Sequence, residues 1–195
     1  MYIRAGNLRE FFQFYPIVSV LMMINVMLFI LTTVPLFPNR LIFEAAAGVN
    51  ILIANGEMWR LFTPIFIHNH FAHLFFNMFA LFIFGTVLEP FIKKTTFLLI
   101  YLSTGFFANV ITYIFAPLTF VHVGASGAIF GLFGVVAVFI WLKKFPTRDA
   151  QIFAWAIGLA IAFSFFQKGV NVYAHIGGFL CGLLCGFWII RRQIN

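Results

Sequence analysis

The sequence predicts an all-α membrane protein, a polytopic bundle of six transmembrane helices with a long, partly membrane-embedded first loop. Hydrophobic residues make up 63% of the 195 residues and charged residues only 9%, whereas an ordinary soluble domain carries about 25% charged residues. Six apolar runs are each long enough, at roughly 17 to 25 residues, to cross a bilayer as a helix. Basic residues stand in short groups between those runs, as in a chain that crosses the membrane repeatedly.

The first 15 residues form a polar-aromatic segment, which we expect to be a short cytoplasmic N-terminus. The apolar run that follows is too long for a cleavable signal and has no small-residue cleavage site, so it is interpreted as a retained helix. Residues 1–195 are expected to form a single transmembrane domain without a separate soluble domain. The six predicted helices are Pro16 to Val34, His70 to Glu89, Thr95 to Phe115, Ser126 to Leu142, Ala150 to Phe166 and Tyr173 to Ile190.

The connection between the first and second helices is the long first loop, of about 35 residues. Structureless connections of that length are uncommon, and Leu41 to Ile53 is apolar but too short to span a bilayer. Trp59 and Arg60 place an interface-seeking ring beside a cation. These features predict short helices that lie partly in the outer leaflet.

The distribution of lysine and arginine predicts the orientation of the chain. An even number of helices puts both termini on one side, and that side would carry nine basic residues against three on the other. By the positive-inside rule both termini are expected in the cytoplasm. The nine are Arg4, Arg9, Lys93, Lys94, Lys143, Lys144, Arg148, Arg191 and Arg192, and the three are Arg40, Arg60 and Lys168.

Five polar residues stand out inside these apolar helices. His73 and Asn77 are four residues apart and share one face of the second helix; Asn109 is on the third helix, where it has no assigned role beyond helix contact. Ser126 begins the fourth helix and His175 stands near the start of the sixth. Helices two, four and six all run inward from the outer side. Their polar residues therefore lie at a similar depth, which predicts a functional site just below the outer surface.

Ser126 differs from the other serines of the membrane helices. A serine there usually bonds a backbone carbonyl one turn back or allows close packing, and Ser19, Ser103 and Ser164 are interpreted in that way. Ser126 instead lies within Gly124 to Gly127, at a loop-to-helix junction where backbone N–H groups lack partners and the helix dipole favours negative charge. That environment would stabilise an oxyanion formed beside the serine.

Glycines predict close contact between the fourth and sixth helices. Gly178 and Gly182 are four residues apart on the sixth helix, and Gly127 and Gly131 form a matching face on the fourth. Small residues at this spacing allow helix backbones to approach closely. His175 stands one turn before this glycine face, so its imidazole is expected to lie against the fourth helix.

Together these residues resemble the rhomboid family of intramembrane serine proteases, most closely its compact bacterial GlpG type. The motifs occur in order on the expected helices, over roughly residues 57 to 190, and four motifs in register are far more specific than any one alone. They are Trp59-Arg60, His73-Leu-Phe-Phe-Asn77, Gly124-Ala-Ser126-Gly127, and Ala174-His175-Ile-Gly-Gly178 with Gly182.

The resemblance implies a catalytic dyad of Ser126 and His175. It also implies an oxyanion site formed by His73, Asn77 and the backbone N–H of Ser126, and transmembrane protein substrates that reach the site from the lipid side. GlpG-type relatives often have a tyrosine four residues after the serine, packed on the histidine, where this chain has Phe130.

The expected reaction is hydrolysis of peptide bonds in or near transmembrane segments. Oγ of Ser126 would attack a peptide carbonyl while His175 accepts its proton, and water would then hydrolyse the acyl-enzyme. No acidic residue is predicted at the outer ends of the fourth or sixth helix. The tautomer of His175 must then be set by packing, for example through Phe130, or by another hydrogen bond.

Hydrolysis below the membrane surface requires a cavity that holds water. His68, His70 and His122 are candidates to line it, and ordinary interfacial histidines are the equal alternative. The expected partners are transmembrane protein substrates and membrane lipids. No nucleic acid, cofactor or metal is expected.

Three other functions stay open. A transporter or channel usually carries acids or arginines within the membrane, and none stands near mid-depth here. An inactive rhomboid-like binding protein would usually lack one member of the dyad. A metal enzyme built on His68, His70 and His73 would lack the glutamate of the metalloprotease helix motif.

Overall fold

The computed structural model describes residues 6–167 and 169–194, which form a nearly all-helical chain; Arg4 and Lys168, counted in the predicted topology, lie outside them. Two 3-10 turns, Met58–Leu61 and Thr63–Phe66, and two short strands, β1 (Gly48–Val49) and β2 (Val121–His122), complete the fold. The helices are α1 (Leu8–Phe14), α2 (Pro16–Thr33), α3 (Asn39–Ala46), α4 (Asn50–Ala54), α5 (Phe71–Leu88), α6 (Lys94–Phe115), α7 (Ser126–Trp141), α8 (Thr147–Phe166) and α9 (Val172–Ile194).

Six of these helices correspond to the six predicted ones: α2, α5, α6, α7, α8 and α9. All but α7 are long and apolar enough to cross a membrane, which confirms the prediction of a polytopic helical membrane protein. α7 has 16 residues, so it is about 24 Å long and shorter than the ~30 Å hydrocarbon core of a bilayer. Because 12 of its 16 residues are buried, α7 is the central helix of the bundle rather than a lipid-facing span.

A short helix precedes the first span, where the sequence predicted only a polar-aromatic segment. The side chain of Asn7 accepts the N–H of Glu10 at 2.9 Å, and the Glu10 carboxylate accepts the N–H of Gly6 at 2.8 Å. This reciprocal arrangement resembles a capping box and satisfies donors at the start of α1.

The first loop consists of short helices and turns, as predicted, and Arg60 organises it. Its Nη1 donates to the carbonyl oxygens of Glu44 and Ala47, each at 2.6 Å, and its Nε donates to the Glu57 carboxylate at 2.6 Å. The neighbouring Trp59 donates a further hydrogen bond to α3. Neither Trp59 nor Arg60 lines the cavity described below, so both belong to the support of the loop.

The first loop is fastened to the chain that leads into α7. β1 and β2 pair antiparallel, and the N–H of Gly124 donates to the carbonyl of Pro64 at 2.8 Å. Asn109 also has a role here, because its Nδ2 donates to the carbonyl of Leu61 at 3.0 Å. The loop therefore braces the segment that immediately precedes α7.

Glycines bring α7 and α9 into backbone contact. A Cβ built on Gly178 would overlap the carbonyl oxygen of Gly127, and one built on Gly182 would overlap that of Gly131. Neither overlap can be relieved by rotating a side chain, since the obstructing atoms belong to the backbone. The structure thus joins the two glycine faces noted in the sequence.

We expect Gly178→Ala to destabilise the protein by about 1–3 kcal/mol or more, since overpacking of a tight interface costs that much. Gly158→Ala is the matched control, because a Cβ placed there on α8 would have no atom of another part of the chain within 4 Å. The control should be neutral or slightly stabilising, since alanine favours a helix by up to ~1 kcal/mol over glycine. Thermal unfolding in detergent measures both, and equal stability of the two variants would contradict this packing.

Glu89, directly after α5, holds the start of α2. Its carboxylate oxygens accept the backbone N–H groups of Ile17 at 2.9 Å and Val18 at 3.0 Å, and its side chain is buried. Glu89→Ala would leave two donors unsatisfied, which predicts a loss of about 2–4 kcal/mol of stability. Glu44→Ala is the control, because the Glu44–Arg40 ion pair is mostly exposed and worth about 0–1 kcal/mol. A Glu89 variant as stable as the control would refute this role.

Candidate active site

A cavity of about 480 Å³ opens among α5, α7, α8 and α9. Ser126, His175, His73 and Asn77, which the sequence assigned to one site, all line it. They come from three helices, and α8 contributes Ser164 as a further polar side chain. The cavity therefore gathers polar groups inside an otherwise apolar bundle.

Ser126 is the first residue of α7 and follows a sharp turn at Gly124. The φ angle of Gly124 is +122°, a conformation that residues with a Cβ rarely adopt. A Cβ at this position would also lie only 2.5 Å from Nε2 of His73. The first backbone N–H groups of a helix have no partner within it, so the N–H of Ser126 has no acceptor within α7.

His175 is held between α7 and α8. Its ring stacks on that of Phe130, with ring centres 3.9 Å apart and planes within 10° of parallel. Phe130 lies one turn after Ser126 on α7, so the ring packing expected of a tyrosine is present without the phenolic hydroxyl. Within the described residues, the Ser126 hydroxyl makes no hydrogen bond to His175; in enzymes without substrate such contacts are often long and tighten only when substrate binds.

Nδ1 of His175 lies 2.7 Å from Oγ of Ser164. Ser164 also makes the backbone contact expected of it, with Oγ 2.8 Å from the carbonyl oxygen of Ala160. The histidine contact was missed in the sequence because it joins different helices, and nothing in the spacing of the two residues indicates it. Of the two alternatives for setting the His175 tautomer, ring packing and another hydrogen bond, the structure contains both, through Phe130 and Ser164.

Asn77 offers an unused hydrogen-bond donor. Its side chain is buried, and its Nδ2 has no partner among the described residues. Leaving a buried donor unsatisfied costs about 1–3 kcal/mol. Nδ2 lies 3.7 Å from the position a Cβ would take on Gly124, which places it beside the turn that leads into Ser126. An oxygen atom entering the cavity here would satisfy this donor.

His73 has its Nδ1 2.9 Å from Oδ1 of Asn69. Because an amide oxygen only accepts, the neutral His73 ring carries its proton on Nδ1, and Nε2 is an acceptor in this arrangement. His73 can donate from Nε2 only when the ring is doubly protonated or when Asn69 presents its amino group instead. Asn69 was not identified from the sequence.

The other histidines differ in their roles. His70 and His122 line the cavity, and His70 also accepts the backbone N–H of His73 at 3.0 Å to cap α5. His68 is completely buried and does not line the cavity, so it fits neither alternative, a cavity residue or an interfacial one. Its ring packs edge-on against that of His73, with the ring centres 5.0 Å apart. Burial lowers the pKa of His68 to about 3 and that of His122 to about 4, so both rings are neutral near pH 7. Among the described residues, no three histidines, cysteines or acids form a metal-binding group.

Comparison with known proteins finds similarity to one family. A family model described as "Rhomboid domain" matches residues 55–192. "Putative rhomboid protease YdcA" of Bacillus subtilis is 37% identical over 195 residues, covering 99% of this chain and 98% of that protein. "Rhomboid protease GluP" of the same organism is 36% identical over 72% of this chain and 28% of its own length. "RHOMBOID-like protein 1" of Arabidopsis thaliana is 35% identical over 80% of this chain and 41% of its own length.

Proposed function

Because the chain belongs to the rhomboid family of intramembrane serine proteases, we propose that it hydrolyses peptide bonds in or near transmembrane segments with a dyad of Ser126 and His175. One observation carries the proposal. Ser126 at the start of α7, His175 on α9 and the unsatisfied donor of Asn77 on α5 line a single cavity. A nucleophile, a base and an oxyanion donor are the three parts that acyl transfer by a serine requires.

In the proposed reaction, Oγ of Ser126 bonds to the acyl carbon of the substrate as its proton passes to Nε2 of His175. The carbonyl oxygen becomes an oxyanion that accepts hydrogen bonds from the Ser126 N–H and Asn77 Nδ2, and from His73 when Nε2 carries a proton. His175 then gives its proton to the leaving amine as the peptide bond breaks. Water repeats the sequence in the second half, with His175 as base and Ser126 as the leaving group.

The substrates are membrane proteins whose helices unwind locally. An intact helix uses its carbonyl groups in internal hydrogen bonds, so only an unwound segment can present one to Ser126. α8 borders the cavity with its last turns and exposes large apolar side chains such as Phe163 and Phe166. This side of the cavity faces lipid, from which a transmembrane segment would approach.

The expected location is the bacterial inner membrane, with both termini cytoplasmic and the cavity toward the outer side. Eight of the nine basic residues on the expected cytoplasmic side lie in the part of the chain that the structure describes. Five of them stand in the connections between the spans or within α1 and α8, Lys94 begins α6, and the last two stand in the final turn of α9. Residues 1–195 act as one transmembrane domain in this proposal.

The experiment that tests this function is cleavage of two substrates by the purified protein in proteoliposomes. One is a single-span membrane protein and the other is a soluble, unfolded protein of similar length. The proposal predicts a new terminus within or beside the transmembrane segment, inhibition by a fluorophosphonate and resistance to a metal chelator. Cleavage of the soluble protein alone, or loss of activity with the chelator, would overturn it.

A further inference from the structure

The buried face of α8 contains one polar side chain. α8 is the least buried of the five long spans, and its buried residues are Phe153, Ile157 and Ser164. Phe153 and Ile157 belong to the apolar core, whereas Ser164 lies beside the cavity and is only 4% exposed. Its hydroxyl group must therefore find its partners within the protein.

The two contacts of Ser164 determine which atom donates to which. Oγ lies 2.8 Å from the carbonyl oxygen of Ala160 and 2.7 Å from Nδ1 of His175. A carbonyl oxygen can only accept, and a hydroxyl group has only one proton. Both contacts are hydrogen bonds at the same time only if Ser164 donates to Ala160 and accepts from Nδ1–H of His175.

This assignment leaves Nε2 of His175 without a proton. Neutral imidazole carries its proton on one of its two nitrogen atoms, and the hydrogen bond made by one nitrogen selects the tautomer. The Phe130 ring packs on the face of the imidazole and restricts its plane, but a face contact does not distinguish the two tautomers. Among the described residues, Ser164 is the group that hydrogen-bonds the His175 side chain.

We propose that Ser164 is a positioning residue for His175: it holds the imidazole as the Nδ1–H tautomer, with Nε2 free to accept the Ser126 proton. The inference rests on the proposed function of the dyad and extends it to a residue on a third helix, α8. During attack the proton moves from Ser126 Oγ to Nε2, while Nδ1–H remains bonded to Ser164 and the Ser164 proton remains bonded to Ala160. Nε2–H then protonates the leaving amine, which restores the starting tautomer.

The sharpest test compares Ser164→Thr with Ser164→Val, because the two introduced side chains have nearly the same shape and differ in the hydroxyl group. We expect the threonine variant to retain kcat within about twofold and the valine variant to lose about tenfold, the size of one lost hydrogen bond. KM should change little in either variant, since Ser164 acts on the base and not on substrate binding. The second-order rate of labelling by a fluorophosphonate should fall in parallel with kcat.

Ser19→Ala is the matched control. Ser19 is also buried and bonds the backbone carbonyl of Tyr15 one turn back at 2.7 Å, but it has no histidine partner among the described residues. The control should leave kcat and labelling unchanged. Equal kcat and labelling rates in wild type and Ser164→Val would overturn the inference alone. A wild-type protein that neither cleaves nor becomes labelled would overturn the proposed function, and the inference with it.

A spectroscopic measurement separates positioning from packing. In protein labelled with ¹⁵N-histidine, a His175→Gln spectrum assigns the His175 signals. We expect wild type and Ser164→Thr to carry the proton on Nδ1, and Ser164→Val to shift toward the Nε2–H form. A wild-type spectrum with the proton on Nε2 would overturn the inference whatever the kinetic result.

Discussion

Ser126→Ala should lower kcat by about 10³-fold or more while leaving the protein folded, since removing a serine nucleophile costs at least that much in other serine hydrolases. The physical reason is that alanine has no oxygen with which to form the acyl-enzyme. Ser126 lies at the edge of the cavity and is not fully buried, so the loss of one hydroxyl should scarcely affect stability. Initial rates on a single-span substrate, with a thermal unfolding curve for each variant, measure both effects.

Ser103→Ala is the control for this experiment. Ser103 lies on α6, where its hydroxyl bonds the carbonyl of Ile100 at 3.2 Å, and it does not line the cavity. The Ser103→Ala protein should cleave the substrate at the wild-type rate. His175→Ala should match Ser126→Ala, because members of a catalytic unit fail together. A folded Ser126→Ala protein that cleaves at the Ser103→Ala rate would refute the dyad.

Asn77→Ala is expected to lower kcat by about 10²–10³-fold, the cost of removing one oxyanion donor. The same substitution should leave stability unchanged or raise it, because the Nδ2 group it removes is buried without a partner. Activity and stability would then move independently, as expected where a protein keeps an unfavourable group for function.

Asn50→Ala provides the opposite case. Nδ2 of Asn50 lies 3.1–3.4 Å from the carbonyl oxygens of Thr112, Ala116 and Pro117. None of these residues lines the cavity. Asn50→Ala should lower the stability of the protein and leave the kcat of the folded protein close to that of wild type. If Asn77→Ala were instead the less stable variant and retained kcat, Asn77 would be a structural residue.

The architecture follows largely from the sequence, because helix length and hydropathy are local properties that a bilayer constrains strongly. The predicted start of the fourth helix at Ser126 agrees with α7. The length of the last helix was underestimated, since α9 continues past Ile190 through the basic residues Arg191 and Arg192. Basic residues in the last turn of a helix interact favourably with the helix dipole. The helix therefore ends several residues after its apolar run does.

The site could be predicted only in part. His73, Asn77, Ser126 and His175 stand out because polar residues are rare in this chain, and the structure brings all four to one cavity. The hydrogen bond between Ser164 and His175 could not be predicted. A bond to the backbone carbonyl one turn back already accounts for a serine at position 164 of a membrane helix, so nothing in the sequence calls for a second partner.

The position of the proton on the His73 ring could not be predicted from the sequence either. It depends on Asn69, four residues earlier, whose amide looks like any polar loop residue in the sequence. The prediction for His68 failed for a related reason: a histidine next to a membrane helix suits an interface, and only the tertiary fold shows that this one is enclosed. Contacts between elements, and not the elements themselves, carry this missing information.

The most direct test of the dyad is the site of covalent modification by a fluorophosphonate, located by mass spectrometry of the digested protein. The account predicts one modified residue, Ser126, in wild type, and little modification of folded His175→Ala protein, in which Oγ has no base to accept its proton. Modification of a different serine, or rapid modification of Ser126 without His175, would contradict the account.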